Sequence, residues 1–209
     1  MRRLPYFARE LLGNYSPDDR FVYVSDGGHY DNLGLLELLR RRCRTIYCVD
    51  ASGDGAVART LAEAATLAYE ELGVTLKVNG APLARLPADA HEAHPQLRAL
   101  QGRLAAGCVV TGEIKYPTGA QVTGVGRLIL GKAVLTSDLP FSLQAYAAQD
   151  STFPGDSTAD QWFDADQFDA YAALGRWIGD KMVDACGARR QAVDNGAVSS
   201  PARTPASTL

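Results

Sequence analysis

Ser25-Asp26-Gly27-Gly28-His29-Tyr30-Asp31-Asn32-Leu33-Gly34 sets a carboxylate at the end of an apolar run and follows it with paired glycines. In an open α/β sheet, ligands bind beyond the carboxyl ends of the strands, and glycines there let the backbone approach a reacting group closely. Asp26 is therefore the candidate site residue. The plainer reading is an Asp-Gly turn in which Asp26 caps the helix that follows. Asn32 either orients this loop by hydrogen bonding or starts the helix. His29, beside Asp26 and Asp31, belongs to one short turn that supplies no closed set of metal ligands, and no metal is expected. Asp50-Ala51-Ser52-Gly53-Asp54-Gly55 imitates the first half of a calcium loop, but Leu61 stands at its twelfth position where a bidentate Glu is needed. Gly53-Asp54-Gly55-Ala56-Val57-Ala58 fits G-x-G-x-x-A, yet no acidic residue closes a strand at the distance a dinucleotide site requires. No cofactor is expected.

These residues need elements to hold them. Phe21-Val22-Tyr23-Val24 reads as a buried strand running into Asp26, and Leu33 to Arg42 as a helix of strong formers that ends in cations. Thr45 to Val49 is a second strand. Val57 to Leu72 keeps Val57, Leu61, Ala65, Ala68 and Leu72 on one face, which predicts a helix stopped by a left-handed Gly73. Val74 to Val78 alternates as a strand, and the succession strand, helix, strand, helix, strand predicts a parallel α/β sheet. Residues 79 to 107 lose periodicity and form an excursion with one short helix near Gln96 to Ala105. Cys108 to Tyr116 and Arg127 to Leu135 read as strands of a hairpin with a long glycine-rich tip. Thr158-Ala159-Asp160-Gln161 fits a capping box and Asp164-Ala165-Asp166-Gln167 offers a second start. Phe168, Tyr171, Gly175, Ile178, Met182 and Ala185 would then form the buried face of a helix ending at Gly187. Trp162, Phe163 and Trp177 are of types more often found in the core than against lipid, and the sequence leaves both readings open. From Ala188 the composition reads as a disordered tail.

Asp26-Gly27-Gly28 resembles the aspartate element of the patatin-like and cytosolic phospholipase A superfamily of serine acyl hydrolases. Asn32 with its leucine-rich helix, the strand and loop Ile46-Tyr47-Cys48-Val49-Asp50-Ala51-Ser52, and the run Phe153-Pro154-Gly155-Asp156-Ser157-Thr158-Ala159-Asp160-Gln161-Trp162-Phe163 extend the resemblance over most of positions 20 to 187. It implies a three-layer α/β/α sheet and a Ser-Asp dyad with no histidine, in which the serine attacks a phospholipid or other acyl ester and Asp26 takes its proton. Gly27, Gly28 and Asn32 would support that aspartate. The nucleophile's G-x-S-x-G element is absent, since none of the ten serines sits between glycines at that spacing. The resemblance thus covers the C-terminal portion of such a domain: 1-20 a leader, 21-187 the C-terminal part and 188-209 the tail, with an upstream half of the same domain as an expected partner. The different-class alternative is a non-catalytic interaction module that keeps the fold and lacks the nucleophile.

Composition narrows the field. The 209 residues include 21 Lys+Arg and 24 Asp+Glu for a net charge of −3, which argues against a nucleic-acid binder steered by charge. With 46% hydrophobic and 22% charged residues the chain is not disordered throughout. The lack of any roughly 20-residue apolar run or secretory signal leads to the expectation of a cytoplasmic protein, with peripheral membrane contact allowed. Arg40, Arg41, Arg42 and Arg44 either meet lipid headgroups there or form a solvated helix end. Cys43, Cys48, Cys108 and Cys186 make no C-x-x-C and are expected as reduced thiols.

Overall fold

The computed structural model describes residues 26–53, 58–87, 95–117, 124–157 and 159–196, together with positions 8, 9, 12 and 18. The strand expected at Phe21 to Val24, with the edge it would present, lies outside these residues, as do the hairpin tip at 118–123, Thr158 and the tail from 197.

Four strands form the main sheet in the order β1 (Thr45–Asp50), β5 (Val125–Lys132), β4 (Val109–Lys115), β2 (Thr75–Val78). β1 pairs parallel to β5, while the β4–β5 and β2–β4 pairs are antiparallel, so the sheet is mixed rather than parallel. The expected rhythm of β1, helix and β2 is present, but the connection carries β2 past two strand positions and lays it against β4. Sequence periodicity identifies strands and says nothing of which neighbour each will take. The β4–β5 hairpin forms as expected, with Val109 opposite Gly131 and Lys115 opposite Val125. β3 (Leu104–Ala105) and β6 (Leu135–Thr136) make a separate two-stranded parallel pair.

Helices cover both faces. α1 (Leu35–Arg40) buries Leu35, Leu36 and Leu39, and α2 (Arg59–Leu72) buries Leu61, Ala64 and Ala68, before Gly73 ends it at φ 64°, the left-handed stop its sequence predicts. Alternation along β1 turns Ile46, Cys48 and Asp50 to one face, where Cys48 Sγ meets the Leu33 carbonyl. Tyr47 turns to the other, where its hydroxyl meets Cys186 Sγ at 3.1 Å. α3 (Phe141–Gln149) and α4 (Ala165–Gly196) complete the set.

α4 corrects several expectations. It starts after Asp164, whose carboxylate accepts the Gln167 N–H at 2.7 Å, so the second candidate start is the one used. Its buried residues are Gln167, Ala170, Leu174, Ile178 and Met182, whereas Phe168 is 64% exposed. Phe168 and Gly175 lie one position past the buried Gln167 and Leu174, so at these two positions the predicted face is turned away from the core. The backbone stays helical through Gly187 to Gly196, since glycine without a left-handed φ does not stop a helix. Trp162 is 92% exposed and so is not core, while Trp177 is half-buried with the Lys181 ammonium 4.3 Å from its ring. In the excursion, the short helix is a 3-10 turn at Pro95–Leu100 followed by β3.

Candidate functional site

Asp26 stands at the N-terminus of a 3-10 turn, Gly27–His29, and its Oδ1 accepts the Gly28 N–H at 3.1 Å. Both the turn and the carboxylate are exposed. The glycine pair is used as its spacing suggests at one position: a Cβ on Gly28 would stand 2.9 Å from Asn32 Oδ1 and 3.6 Å from Asp26 Oδ1, while one on Gly27 would meet nothing within 4 Å. Gly28 thus lets Asp26 and Asn32 converge on the backbone between them. Asn32 does not start α1. That role falls to Asp31, whose Oδ1 accepts the Leu33 N–H at 3.0 Å and whose Oδ2 accepts the Leu36 N–H at 2.6 Å. His29 turns back, its Nδ1 3.2 Å from the Asp26 carbonyl. The loop is tied to the rest of the molecule by hydrogen bonds from the Tyr30 hydroxyl and Arg40 to Glu71 of α2. That bond and partial desolvation raise the Tyr30 hydroxyl above its usual value.

A second cluster lies where β1 and β5 end side by side. Asp50 and Lys132 are opposite each other in the parallel register, 1% and 0% exposed, with Nζ 2.9 Å from Oδ2. Lys132 Nζ also donates to the Ser52 carbonyl at 3.4 Å and Ser52 Oγ at 3.3 Å. Asp50 Oδ1 accepts both the Ser52 N–H at 2.9 Å and the Ser52 hydroxyl at 2.5 Å, and Thr60 Oγ1 lies 2.9 Å from that hydroxyl. Superficially this is a serine held on an aspartate. Asp50 Oδ2 is taken by the Lys132 ammonium and Oδ1 by the Ser52 N–H and hydroxyl, so the cluster ties the ends of β1 and β5 to the loop that follows β1. The same occupancy turns Asp50 away from the calcium-loop role. Cys48, on the same face, is raised to about 12 by burial and then by the charges of Asp50 and Asp31, which leaves it an inert thiol.

The chain matches no protein-family model, no curated protein and no solved structure.

Beyond the cluster, the loop after β1 meets the Phe153-Pro154-Gly155 run. A Cβ on Gly53 would stand 3.4 Å from the Gly155 carbonyl oxygen, so two sequence motifs separated by a hundred residues come together through paired glycines. The peptide between Phe153 and Pro154 is cis. Asp150 organises this loop, its Oδ1 accepting the Thr152 hydroxyl at 2.7 Å and the Thr152 N–H at 2.8 Å. Those bonds, led by the Thr152 hydroxyl and extended by the Phe153 N–H, hold Asp150 below the usual carboxylate range. Phe153 is buried between the edges of Tyr146 and Tyr171, and the Tyr171 hydroxyl donates to Asp156 Oδ2 at 2.6 Å. A cavity of about 200 Å³ opens between these loops, lined in part by Ser52, Arg85, Arg103 and Thr152. Asp26 does not line it.

Lys132, Arg85 and Arg103 are the residues that sequence reasoning passed over. Lys132 had a signal: a lysine in the middle of Leu128-Ile129-Leu130-Gly131-Lys132-Ala133-Val134-Leu135 must find a partner when the strand is buried, and Asp50 ends the other apolar strand. Arg85 and Arg103 had none, because they sit in the aperiodic excursion. Among the described residues no group of three or more His, Cys, Asp or Glu could hold a metal ion, and no helix is long and apolar enough to cross a membrane.

Proposed function

We propose that this chain is the Asp-bearing part of a patatin-like serine acyl hydrolase, and that Asp26 is the general base toward a serine carried on a segment outside these 209 residues. What supports the reading is the placement of Asp26. It is an exposed carboxylate on a tight turn, oriented through Oδ1 by the Gly28 N–H and approached by Asn32, directly before a helix anchored in the core by three leucines. Such a carboxylate can be covered by an incoming element without repacking the core. In the proposed reaction the serine hydroxyl gives its proton to Asp26 as its oxygen bonds to the acyl carbon. The ester C–O bond then breaks as the leaving alcohol takes the proton from Asp26, and water, giving a proton to Asp26, later attacks the acyl-serine, which releases the acid and takes the proton back on its oxygen. The mixed sheet with helices on both faces is compatible with the three-layer architecture expected for that family, of which it would be the C-terminal portion.

The test joins this chain to the protein segment encoded in frame before it and follows hydrolysis of a p-nitrophenyl ester. The joined protein should turn over, the chain alone should not, and Asp26→Asn should lower kcat by about 100-fold or more, the usual worth of a general base. Turnover by the chain alone, or an active Asp26→Asn variant, would refute the reading. A preceding frame without G-x-S-x-G would instead favour the non-catalytic module.

A further inference from the structure

The cavity between the loop after β1 and the 151–155 loop has a chemistry that the Asp26 site does not use. Arg103, half-buried at its wall, donates to the carbonyl oxygens of Ala147 at 2.6 Å, Asp150 at 3.1 Å and Phe153 at 2.5 Å. Carbonyls orient the planar guanidinium but do not neutralise it. Arg85, also lining the cavity, donates to the Gly102 carbonyl. Among the described residues neither arginine forms an ion pair. Of the nearby carboxylates, Asp50 is ion-paired with Lys132, while Asp150 is held by neutral donors of Thr152 and Phe153 and Asp156 by the hydroxyls of Tyr171 and Thr152. Burial lowers the Arg103 guanidinium's affinity for its proton, and the charge of Asp150 partly offsets this.

We infer that this cavity binds a small oxyanion of the phosphate-ester class, held by the guanidinium groups of Arg85 and Arg103. Arg85 offers a planar fork and Arg103 the N–H groups that its carbonyl bonds leave over, and a charge-assisted bond gains most where water is partly excluded. The Ser52 and Thr152 side chains and the glycine-rich loop edges supply small polar walls. The position also fits, beyond the carboxyl ends of the parallel pair β1 and β5. At about 200 Å³ the space is below the roughly 300 Å³ at which drug-sized ligand sites begin, and it suits a phosphate with a few further heavy atoms. A free phosphate ester and a phospholipid headgroup present the same group. The inference is independent of any role for Asp26.

Calorimetric titration of the full chain with inorganic phosphate and with glycerol 3-phosphate is expected to show saturable binding that weakens as salt is raised. Arg85 is exposed and makes one bond to backbone, so Arg85→Gln should keep the thermal midpoint while weakening both ligands at least tenfold. Arg103→Lys retains the charge, loses the remaining guanidinium N–H donors, and should weaken them as well. Co-sedimentation with phosphatidylglycerol vesicles separates the sources: capture reversed by glycerol 3-phosphate assigns a lipid headgroup, and solution binding without capture assigns a free ester. Absence of saturable binding to both small anions, or undiminished binding by a folded Arg85→Gln chain, would overturn the inference.

Discussion

Lys132 has no exposed surface, and an ammonium taken out of water costs several kcal/mol unless its charge and its three N–H groups are all met. Here they are met by Asp50 and by two oxygens of Ser52. The net value of such a pair is small, because desolvation offsets most of the attraction, but the cost of removing one member is large. Lys132→Met should therefore destabilise the chain by about 3–5 kcal/mol, a large share of the roughly 5–15 kcal/mol available to a domain. Lys132→Met combined with Asp50→Leu should recover most of that loss, since it removes the orphaned carboxylate. Urea denaturation of both variants checks this, and a double variant as unstable as the sum of its parts would mean the pair is not the buried unit described.

At the scale of elements, the contact that sets α4 on the sheet runs through a missing side chain. A Cβ on Gly131 of β5 would stand 2.5 Å from Ile178 Cγ2 and 2.6 Å from Met182 Sδ, closer than packed atoms approach. Gly131→Ala should cost about 1–3 kcal/mol by overpacking, read as a lower thermal midpoint. An unchanged midpoint would show that α4 lies further from β5. This contact also explains which periodicities could be read in the sequence. Ile178 and Met182 were identified because their spacing is helical and both are apolar. Phe168 is aromatic yet exposed and so falls outside that phase, while Gln167 is polar and so gives no apolar signal of its burial. Strand identity was recoverable from β-branched runs, whereas the order β1-β5-β4-β2 was not, because pairing depends on side chains from distant segments meeting in the core.

The whole molecule is held at several points by carboxylates whose charged form the fold favours. Asp150 is kept below its usual range by the Thr152 hydroxyl and two backbone N–H groups. For Asp138, burial pushes upward, but the Lys181 ammonium of α4 and the Thr136 hydroxyl outweigh it and bring the group down. A carboxylate with a lower pKa folded than unfolded binds fewer protons in the folded state, so its stabilisation is complete above the unfolded value of about 4 and is lost as pH falls through the folded value. Stability should thus be insensitive to these groups near neutrality and fall in acid. Asp150→Asn should flatten that acid limb while lowering stability at pH 7, measured as urea midpoints at pH 7 and pH 3. An acid limb as steep in Asp150→Asn as in the parent would exclude Asp150 as a source of it.

The sequence alone determined the local facts: that strands and helices alternate in the first third, that Gly73 ends α2, that the 108–135 segment folds into a hairpin, and that Asp26 sits on a glycine turn before a leucine-rich helix. Each follows from the periodicity or backbone preference of neighbouring residues, which needs no knowledge of the rest of the chain. The tertiary structure decided the rest. It placed Lys132 on Asp50, brought Gly53 against Gly155, and set Arg85 and Arg103 around one cavity, because each of these contacts joins residues far apart in sequence whose types carry no sign of one another until the sheet register brings them within bonding distance.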